Sequence, residues 1–327
     1  MPQDSTNILY QTGDTFHVAT QDSVHQAIAT LPSHNITLQA DDNGIQLPEA
    51  AGWLIFMAIV FSIIMILYWL PVFWHRVLVM VRDRGLYRQA TNLYWQGHSK
   101  YNDILAQYIP YYRQLSAEHK EMFLHRTLTF MAAKKFRFID IEGEERIPLL
   151  ISATAVQLTF GLQHFLLDYF NTIYVLPNRY RYGESEMAFQ GHVSEEGIFF
   201  SWENFLAAFA NYNDGDNVGL HEMAHALAYV NFMTDGDGSD AGFRERFREF
   251  SQTGRKIFEE MQLKTNHFLG SYAATNYNEF WAVSVERFFE QPRVFRALLP
   301  ELYLAMCRLL NQDPLSEILF LRPLEEA

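Results

Sequence analysis

The sequence contains a single cysteine, Cys307, in 327 residues, so an intrachain disulfide is excluded. A lone cysteine in an apolar C-terminal segment is expected to be a small buried residue. Basic residues are also few, since 25 Lys and Arg stand against 38 Asp and Glu and give a net charge of −13. Non-specific binding of nucleic acid needs a basic surface, so we predict no nucleic acid partner.

No Lys or Arg precedes Arg76, and the first long apolar run begins at Gly52. This run continues to Val72 without a charge, which is long enough to cross the hydrocarbon core of a membrane. The run begins too far from the amino terminus to be a cleaved signal peptide. It also lacks the basic residues that precede the apolar part of such a peptide. A buried helix of a soluble protein is the alternative, although such a helix rarely lacks a polar face over this length. Gly52–Val72 is therefore predicted to contact the lipid bilayer as a transmembrane helix.

The charges around this run predict its orientation. Four arginines follow it closely, at Arg76, Arg82, Arg84 and Arg88. The positive-inside rule then places the amino terminus outside and everything after the span in the cytoplasm. We therefore predict a single-pass protein of the inner or plasma membrane.

The chain is predicted to have four parts. Residues 1–51 form an acidic, non-cytoplasmic segment, in which alternation around Thr15–Ala19 suggests a small hairpin. Residues 52–73 form the transmembrane helix, and residues 74–112 form a juxtamembrane helical linker. This linker either touches acidic lipid headgroups or packs on the domain that follows. Residues 113–327 form one large domain.

Hydrophobic periodicity predicts that this domain is mainly α with a small β-sheet, an α+β fold. Ser116 is predicted to cap its first helix, and the basic run Lys134–Arg137 is predicted to end that helix. Further helices are predicted over Leu149–Phe160, Trp202–Tyr212, Phe243–Met261 and Leu298–Leu310. Strands are predicted over Thr172–Leu176, Met187–Val193 and Gly197–Trp202, the last two as a hairpin.

A His-Glu-x-x-His motif lies in an apolar segment, at His221, Glu222 and His225. On a helix the two imidazoles point to one side and can bind one metal ion, while the glutamate reaches a metal-bound water. Zinc favours such ligands with one coordination position left open. Asp216 is predicted to cap this helix. Because the motif is short, a helix with two unrelated histidines is the alternative.

A third ligand would strengthen this interpretation, and Glu279 is the candidate. It lies in the first turn of a helix predicted to start at Thr275 or Asn276. A carboxylate there often only complements the helix dipole, and a metal ligand is the other interpretation. The acidic stretch Thr234–Asp240 looks at first like a calcium loop. It lacks the glycine and the terminal glutamate of an EF-hand, so a solvated loop is predicted.

Two segments resemble the zinc peptidases of the Mlc titration factor A (MtfA) family. They are Asn217–Leu227, which contains the motif, and Tyr272–Pro292, which contains Glu279. The resemblance covers roughly Leu115–Pro314 and leaves out the amino-terminal segment and the apolar run. It implies a zincin-like metallopeptidase domain with a gluzincin-type site, similar to that of lethal-factor-type enzymes.

Carried over by position, the resemblance implies that the ligands of Zn²⁺ are His221, His225 and Glu279. It also implies that Glu222 is the general base and that Tyr272 stabilises the transition state. Tyr277 is the alternative for the role of Tyr272, although a core aromatic residue is the favoured interpretation there.

This chain departs from the lethal-factor pattern at one position. That pattern places a carboxylate four residues after the ligand glutamate, where this chain has Val283. Glu286 is the candidate to contact a ligand histidine instead. Zinc peptidases often have an edge strand beside the metal helix that pairs with the substrate, and Gly197–Trp202 is predicted to be that strand.

The sequence therefore predicts a membrane-anchored zinc metallopeptidase. It is expected to hydrolyse a peptide or protein substrate through a zinc-activated water, with Glu222 as general base. The alternative is a membrane-anchored module that binds a regulator protein and holds a structural or vestigial zinc site. Glu222 favours the enzyme, because a purely structural zinc site has no use for a carboxylate beside its water. Nothing in the sequence supports a regulator protein as a partner.

Overall fold

The computed structural model describes residues 8–12, 15–19, 49–183, 188–233, 240, 242–263 and 267–316. The chain divides into two compact units, Met1–Val72 and Phe73–Ala327. Except for Asp240, the predicted solvated loop Thr234–Asp240 lies outside the described residues.

The first unit contains an antiparallel pair of strands, β1 (Ile8–Thr12) and β2 (Thr15–Ala19), in which Ile8 lies opposite Ala19. The predicted hairpin is thereby confirmed. Helix α1 begins in this unit and spans Glu49–Tyr108. Its segment Trp53–Leu70 has a mean hydropathy of 2.5, and none of it is buried. This helix is long and apolar enough to cross a membrane.

In the second unit, α1 is interrupted at Gly97, whose φ of −137° and ψ of 15° are not helical. Two helices follow, α2 (Pro110–Gln114) and α3 (Ala117–Ala133). The Ser116 hydroxyl accepts a hydrogen bond of 3.2 Å from the backbone N–H of His119. Ser116 is therefore the N-cap of α3, as predicted.

A four-stranded mixed sheet lies in this unit. Its strands are β3 (Lys135–Phe138), β4 (Thr172–Leu176), β5 (Gly191–Ser194) and β6 (Gly197–Ser201). The spatial order is β3-β4-β6-β5, with parallel pairing except between β5 and β6. The predicted strand over Thr172–Leu176 is confirmed. The predicted hairpin is also present, but β5 starts at Gly191 rather than at Met187, which lies outside the described residues, and Trp202 belongs to the helix that follows β6.

The prediction that the basic run Lys134–Arg137 ends the first helix is only partly confirmed, because Lys134 is the C-cap but no residue of the run lies in the last turn. Helix α3 ends at Ala133, and Lys135–Phe138 is strand β3. The strand forms because its backbone groups pair with β4, with Lys135 opposite Thr172. The pairing with β4 provides hydrogen-bond partners for the backbone N–H and C=O groups of this segment. In a longer α3 the same groups would have bonded within the helix.

Helices make up most of the remaining chain. They are α4 (Arg146–Thr159), α5 (Trp202–Ala210), α6 (Val218–Met233), α7 (Phe243–Leu263), α8 (Tyr277–Glu290), α9 (Pro292–Leu298) and α10 (Pro300–Leu310). A 3₁₀ turn, Tyr272–Ala274, precedes α8. The prediction of a mainly α fold with a small β-sheet is confirmed.

Two details of the helices bear on the predictions. The chain breaks at Leu299 (φ −135°), directly before Pro300, so the last helix starts at Pro300 rather than at Leu298. Proline commonly occupies the first position of a helix because its missing N–H costs no hydrogen bond there. Cys307 is buried in α10, as predicted.

Helix α8 packs directly on α6. The indole N–H of Trp281 donates a hydrogen bond of 2.9 Å to the carbonyl oxygen of Ala224, and both residues are buried. This contact fixes the spacing of the two helices in the middle of the core. It therefore determines how closely a side chain from the first turn of α8 can approach α6.

The end of α10 is tied into the core by a buried glutamine. The Gln312 side chain is fully buried and accepts a hydrogen bond of 2.7 Å from the Tyr111 hydroxyl in α2. Its amide nitrogen donates to the carbonyl oxygen of Leu158 at 2.9 Å. A buried amide is tolerated only when such partners satisfy it. Helices α2 and α4 and the segment after α10 are thus joined through one side chain.

Candidate metal centre

Helix α6 places the motif residues side by side. The Oδ1 atom of Asn217 accepts a hydrogen bond of 2.9 Å from the backbone N–H of Leu220, the third residue of the helix. Asn217 is therefore the N-cap, and the prediction that Asp216 caps this helix is wrong. Because the helix begins at Val218, the capping position is residue 217.

The structure brings His221, His225 and Glu279 together. The Nε2 atom of His221 lies 3.1 Å from the Nε2 atom of His225 and 3.0 Å from the Oε2 atom of Glu279. The Nε2 atom of His225 lies 3.6 Å from the same carboxylate oxygen. One potential ligand atom from each residue thus lies within 4.8 Å of the others.

Glu286 in α8 orients His221. Its Oε1 atom lies 2.7 Å from Nδ1 of His221, and its Oε2 atom accepts a hydrogen bond of 2.6 Å from the backbone N–H of Asn217. When His221 is neutral, this contact places the proton on Nδ1 and leaves the Nε2 lone pair directed at the cluster. The predicted contact between Glu286 and a histidine is present.

The cluster favours a positive charge. Burial opposes protonation of His221, but the carboxylates of Glu279 and Glu286 outweigh it and raise the pKa of His221 to about 10. Burial likewise opposes ionisation of Glu279, and the two imidazoles outweigh it and lower the pKa of Glu279 below its ordinary range. Both shifts have one cause, which is the close approach of negative groups to nitrogen atoms that can carry or bind a cation.

Glu222 lies between α6 and strand β5. It is 6% exposed, and burial raises its pKa to about 7. A Cβ atom on Gly191 would lie 2.6 Å from Cγ and 2.9 Å from Oε1 of Glu222. A residue larger than glycine would therefore displace the glutamate, so the first residue of β5 and Glu222 depend on each other.

A second buried glutamate of α8 holds the start of α6. The Oε2 atom of Glu290 accepts a hydrogen bond of 2.8 Å from the backbone N–H of Gly215, and its Oε1 atom accepts one of 2.8 Å from the Asn217 amide. Burial raises the pKa of Glu290 to about 8. Glu286 and Glu290 thus anchor the turn that precedes the His-Glu-x-x-His motif.

The two tyrosines considered for transition-state stabilisation lie in different surroundings. Tyr272 is 59% exposed, and its ring centroid lies 5.8 Å from that of His221. Partial burial and then the nearby Glu279 carboxylate raise its pKa to about 12. Tyr277 instead packs against Phe280, with centroids 5.3 Å apart, and its hydroxyl donates to the Ser251 carbonyl oxygen at 3.4 Å.

The edge strand beside α6 is not the one that was predicted. Gly197–Ser201 is β6, which is paired on both sides by β4 and β5. Its five residues are all buried, as expected of a strand inside a sheet. The edge position belongs to β5, Gly191–Ser194, and this is the strand that lies against Glu222.

Comparison with known proteins places the chain in a family. Residues 87–310 match the model of the glucose-regulated metallo-peptidase M90 family. The chain belongs to this family. Among curated relatives, the Uncharacterized protein slr2042 of Synechocystis sp. (strain ATCC 27184 / PCC 6803 / Kazusa) is 24% identical over 258 residues, which cover 72% of this chain and 89% of that protein. Mlc titration factor A of Yersinia pestis (strain Pestoides F) is 22% identical over 253 residues, which cover 68% and 91%.

The M90 family implies a metal, and the cluster fits one. Two imidazole nitrogens and a carboxylate oxygen are suitable ligands for a transition metal ion such as zinc. When the proton of His221 is on Nδ1, one potential ligand atom from each of the three residues can offer a lone pair to a metal ion. These three atoms lie within 4.8 Å of one another. The Oε2 atom of Glu279 is buried and makes no aligned hydrogen bond, although it lies 3.0 Å from His221. A cation among these atoms would relieve their mutual repulsion.

Sequence reasoning missed Asn217 and Glu290 as residues that support this M90 site. One signal was present in the sequence. Glu279, Glu286 and Glu290 are spaced by seven and four residues and therefore lie on one face of a helix. Three carboxylates on one face of a helix that is rich in apolar residues indicate a polar function for that face.

Proposed function

We propose that this member of the M90 family is a membrane-anchored zinc peptidase that hydrolyses peptide bonds. The convergence of His221, His225 and Glu279, with Glu222 beside them, carries this proposal. The cluster has the ligand set of a catalytic zinc site, and beside it lies the carboxylate of Glu222, which is not one of the proposed ligands.

Zinc held by these three residues would polarise the scissile carbonyl group and bring the pKa of its water toward 7. Glu222 supplies the proton transfer. Its carboxylate accepts a proton from the attacking water and returns it to the nitrogen of the leaving amine. Glu286 holds His221 in the tautomer that directs Nε2 to the metal, through the contact of 2.7 Å at Nδ1.

Tyr272 is the residue we assign to the oxyanion. Its hydroxyl donates a hydrogen bond to the oxygen that gains negative charge in the transition state, which is worth about 3 kcal/mol. Its place beside His221 and its exposure to solvent support this role. Tyr277 is less suited, because its ring is packed against Phe280 and its hydroxyl is directed at the Ser251 carbonyl.

The substrate backbone is proposed to pair with β5. This strand is an edge of the sheet, and Gly191 at its start contacts Glu222. An extended peptide can add to such an edge through main-chain hydrogen bonds. A peptide bound in this way passes the cluster of His221, His225 and Glu279.

The test is metal analysis and hydrolysis of a fluorogenic peptide library by the full-length protein in detergent. Glu222→Gln is expected to retain zinc and lose hydrolysis, whereas Glu279→Ala is expected to lose zinc. Glu118→Gln, an exposed glutamate of α3, is the matched control and should change neither. Hydrolysis at the wild-type rate by Glu222→Gln contradicts the mechanism. A wild-type protein that binds zinc but cleaves no peptide points instead to a regulator-binding module.

The same assay separates the two tyrosines. Tyr272→Phe should lower kcat more than it changes KM, because the hydrogen bond is made in the transition state. Tyr277→Phe should leave kcat nearly unchanged. An equal loss in both variants argues against the assignment of the oxyanion to Tyr272.

We further propose that the chain crosses the membrane once, with residues 1–51 outside, residues 52–73 in the bilayer, 74–112 as linker and 113–327 as the cytoplasmic peptidase domain. The hydropathy of Trp53–Leu70 and the arginines that follow it support this topology. A reporter fused after Ala327 should be active in the cytoplasm. Activity only outside the cytoplasm reverses the orientation.

A further inference from the structure

Helix α6 is largely buried, but one stripe of its surface is accessible. The accessible positions of the helix are His221, His225, Ala228, Tyr229, Phe232 and Met233. Their spacings of three and four residues place them on one face. The two proposed ligands occupy one end of this face, and apolar or aromatic side chains occupy the rest. None of these four further side chains, from Ala228 to Met233, carries a charge. An uncharged, largely apolar surface therefore continues along the helix from the proposed metal centre.

Strand β5 follows the same direction as this stripe. Its first residue, Gly191, touches Glu222 at the start of α6. The other end of the strand, Ser194, pairs with Gly197, and Glu195 lies in the turn between them. Gly197 lies against the carbonyl oxygen of Thr172. Tyr169 and Phe170, just before Thr172, pack on Tyr229, so the end of β5 lies near Tyr229, two helical turns after Glu222. A peptide paired with β5 therefore lies over the stripe.

Tyr229 is held in place by a second tyrosine. Its hydroxyl donates to the Tyr169 hydroxyl at 3.2 Å, and the two ring centroids lie 4.8 Å apart. The ring of the buried Phe170 lies 5.3 Å from that of Tyr229 on the core side. The tyrosine pair is thus fixed before any ligand arrives, which lowers the entropy lost on binding.

The pair lies within reach of a bound peptide. Tyr229 follows His225 by four residues, which is about 6 Å along the helix axis. An extended peptide advances about 3.3 Å per residue. A side chain about two residues from the cleaved bond therefore reaches Tyr229.

We propose that Tyr229 and Tyr169 form a subsite that binds an aromatic or other large apolar side chain of the peptide substrate, about two residues from the cleaved bond. This inference rests on the proposed peptidase function. Magnitudes favour an apolar over a basic side chain. Burial of a large apolar side chain typically strengthens binding by roughly 10- to 150-fold. Glu195 is exposed, and an ion pair with an exposed carboxylate typically strengthens binding by roughly 5-fold at most.

The test uses full-length protein in detergent and peptides of one sequence with Phe, Ala or Lys two residues from the cleaved bond, on either side. For wild type, kcat/KM for the Phe peptide should exceed that for the Ala peptide by about 10-fold or more on one side. Tyr229→Ala should remove most of this preference through a higher KM for the Phe peptide, while hydrolysis of the Ala peptide is retained. Tyr169→Ala should reduce the preference in the same direction.

Two controls separate the subsite from other effects. Tyr87→Ala removes an exposed tyrosine of α1 and should leave the preference unchanged. Zinc content reports whether each variant keeps its metal centre. Binding of labelled peptides to Glu222→Gln protein tests the subsite without hydrolysis, so an inactive wild type would refute the peptidase function and not the subsite. Equal affinity for Phe and Ala peptides, an unchanged preference in both tyrosine variants, or a preference for Lys that Glu195→Gln removes would overturn the proposal.

Discussion

Glu286 offers the sharpest test of how the protein supports its proposed metal centre. Its Oε1 atom contacts Nδ1 of His221 at 2.7 Å, and its Oε2 atom accepts from the Asn217 N–H at 2.6 Å. The substitution Glu286→Gln keeps the shape of the side chain but replaces one acceptor by an NH₂ group. That group then faces a donor, either the imidazole N–H or the backbone N–H.

The size of the effect follows from the bond that is lost. A hydrogen bond to a charged group contributes about 1.5–3 kcal/mol, and about 1.4 kcal/mol corresponds to a tenfold change in a binding constant. The Kd for zinc should therefore rise about 10- to 100-fold in Glu286→Gln, in the range usual for residues that orient a metal ligand.

The assay is a competition titration of zinc between the full-length protein and a chromogenic chelator at fixed pH. Glu290→Gln is the matched control, because Glu290 lies one turn further along α8 and holds Gly215 and Asn217 but no histidine. Glu290→Gln should lower the stability of the protein and leave its Kd for zinc nearly unchanged. If both variants change the Kd equally, or neither does, Glu286 does not orient His221 for the metal.

Two further predictions concern stability. Trp281→Phe removes the hydrogen bond to the Ala224 carbonyl and leaves a gap between α6 and α8. We expect a loss of about 1–3 kcal/mol, measured as a lower Tm, and an unchanged Tm would show that this contact does not hold the helices together. Burial lowers the pKa of His192 from 6.5 to about 4. The unfolded chain therefore binds the proton more readily, so stability is full above pH 6.5 and falls as the pH drops toward 4. His192→Phe, which keeps an aromatic ring beside Phe199, should make that fall smaller, and an identical pH profile of Tm would refute this cause.

The parts of the site that depend on local sequence were predictable. The spacing of His221 and His225 places two imidazoles on one side of any helix, whatever surrounds it. The N-cap of α3 at Ser116 and the strand over Thr172–Leu176 also follow from short-range preferences. Asn276, one of two residues predicted to start α8, caps it through its side chain.

The parts that depend on distant pairing were not predictable in the same way. Lys135–Phe138 is a strand because β4 lies beside it, and the intervening chain gives no local sign of that pairing. Its alternation of basic and aromatic residues was the available signal. The edge position of β5 likewise depends on the parallel pairing of β4 with β6, which leaves Gly197–Ser201 inside the sheet. An unbroken apolar run such as Ile198–Phe200 is typical of a strand inside a sheet.

The hydrogen bonds of the buried Gln312 side chain can form only late in the synthesis of this protein. Its partner Tyr111 is 201 positions earlier in the chain. At 5–20 residues per second, Tyr111 is made about 10–40 s before the amide that accepts its hydrogen bond. A ribosome that stops before Gln312 therefore leaves this hydroxyl, and the Leu158 carbonyl beside it, without their native partner. Translation as far as Gln312 is thus a condition for these native hydrogen bonds.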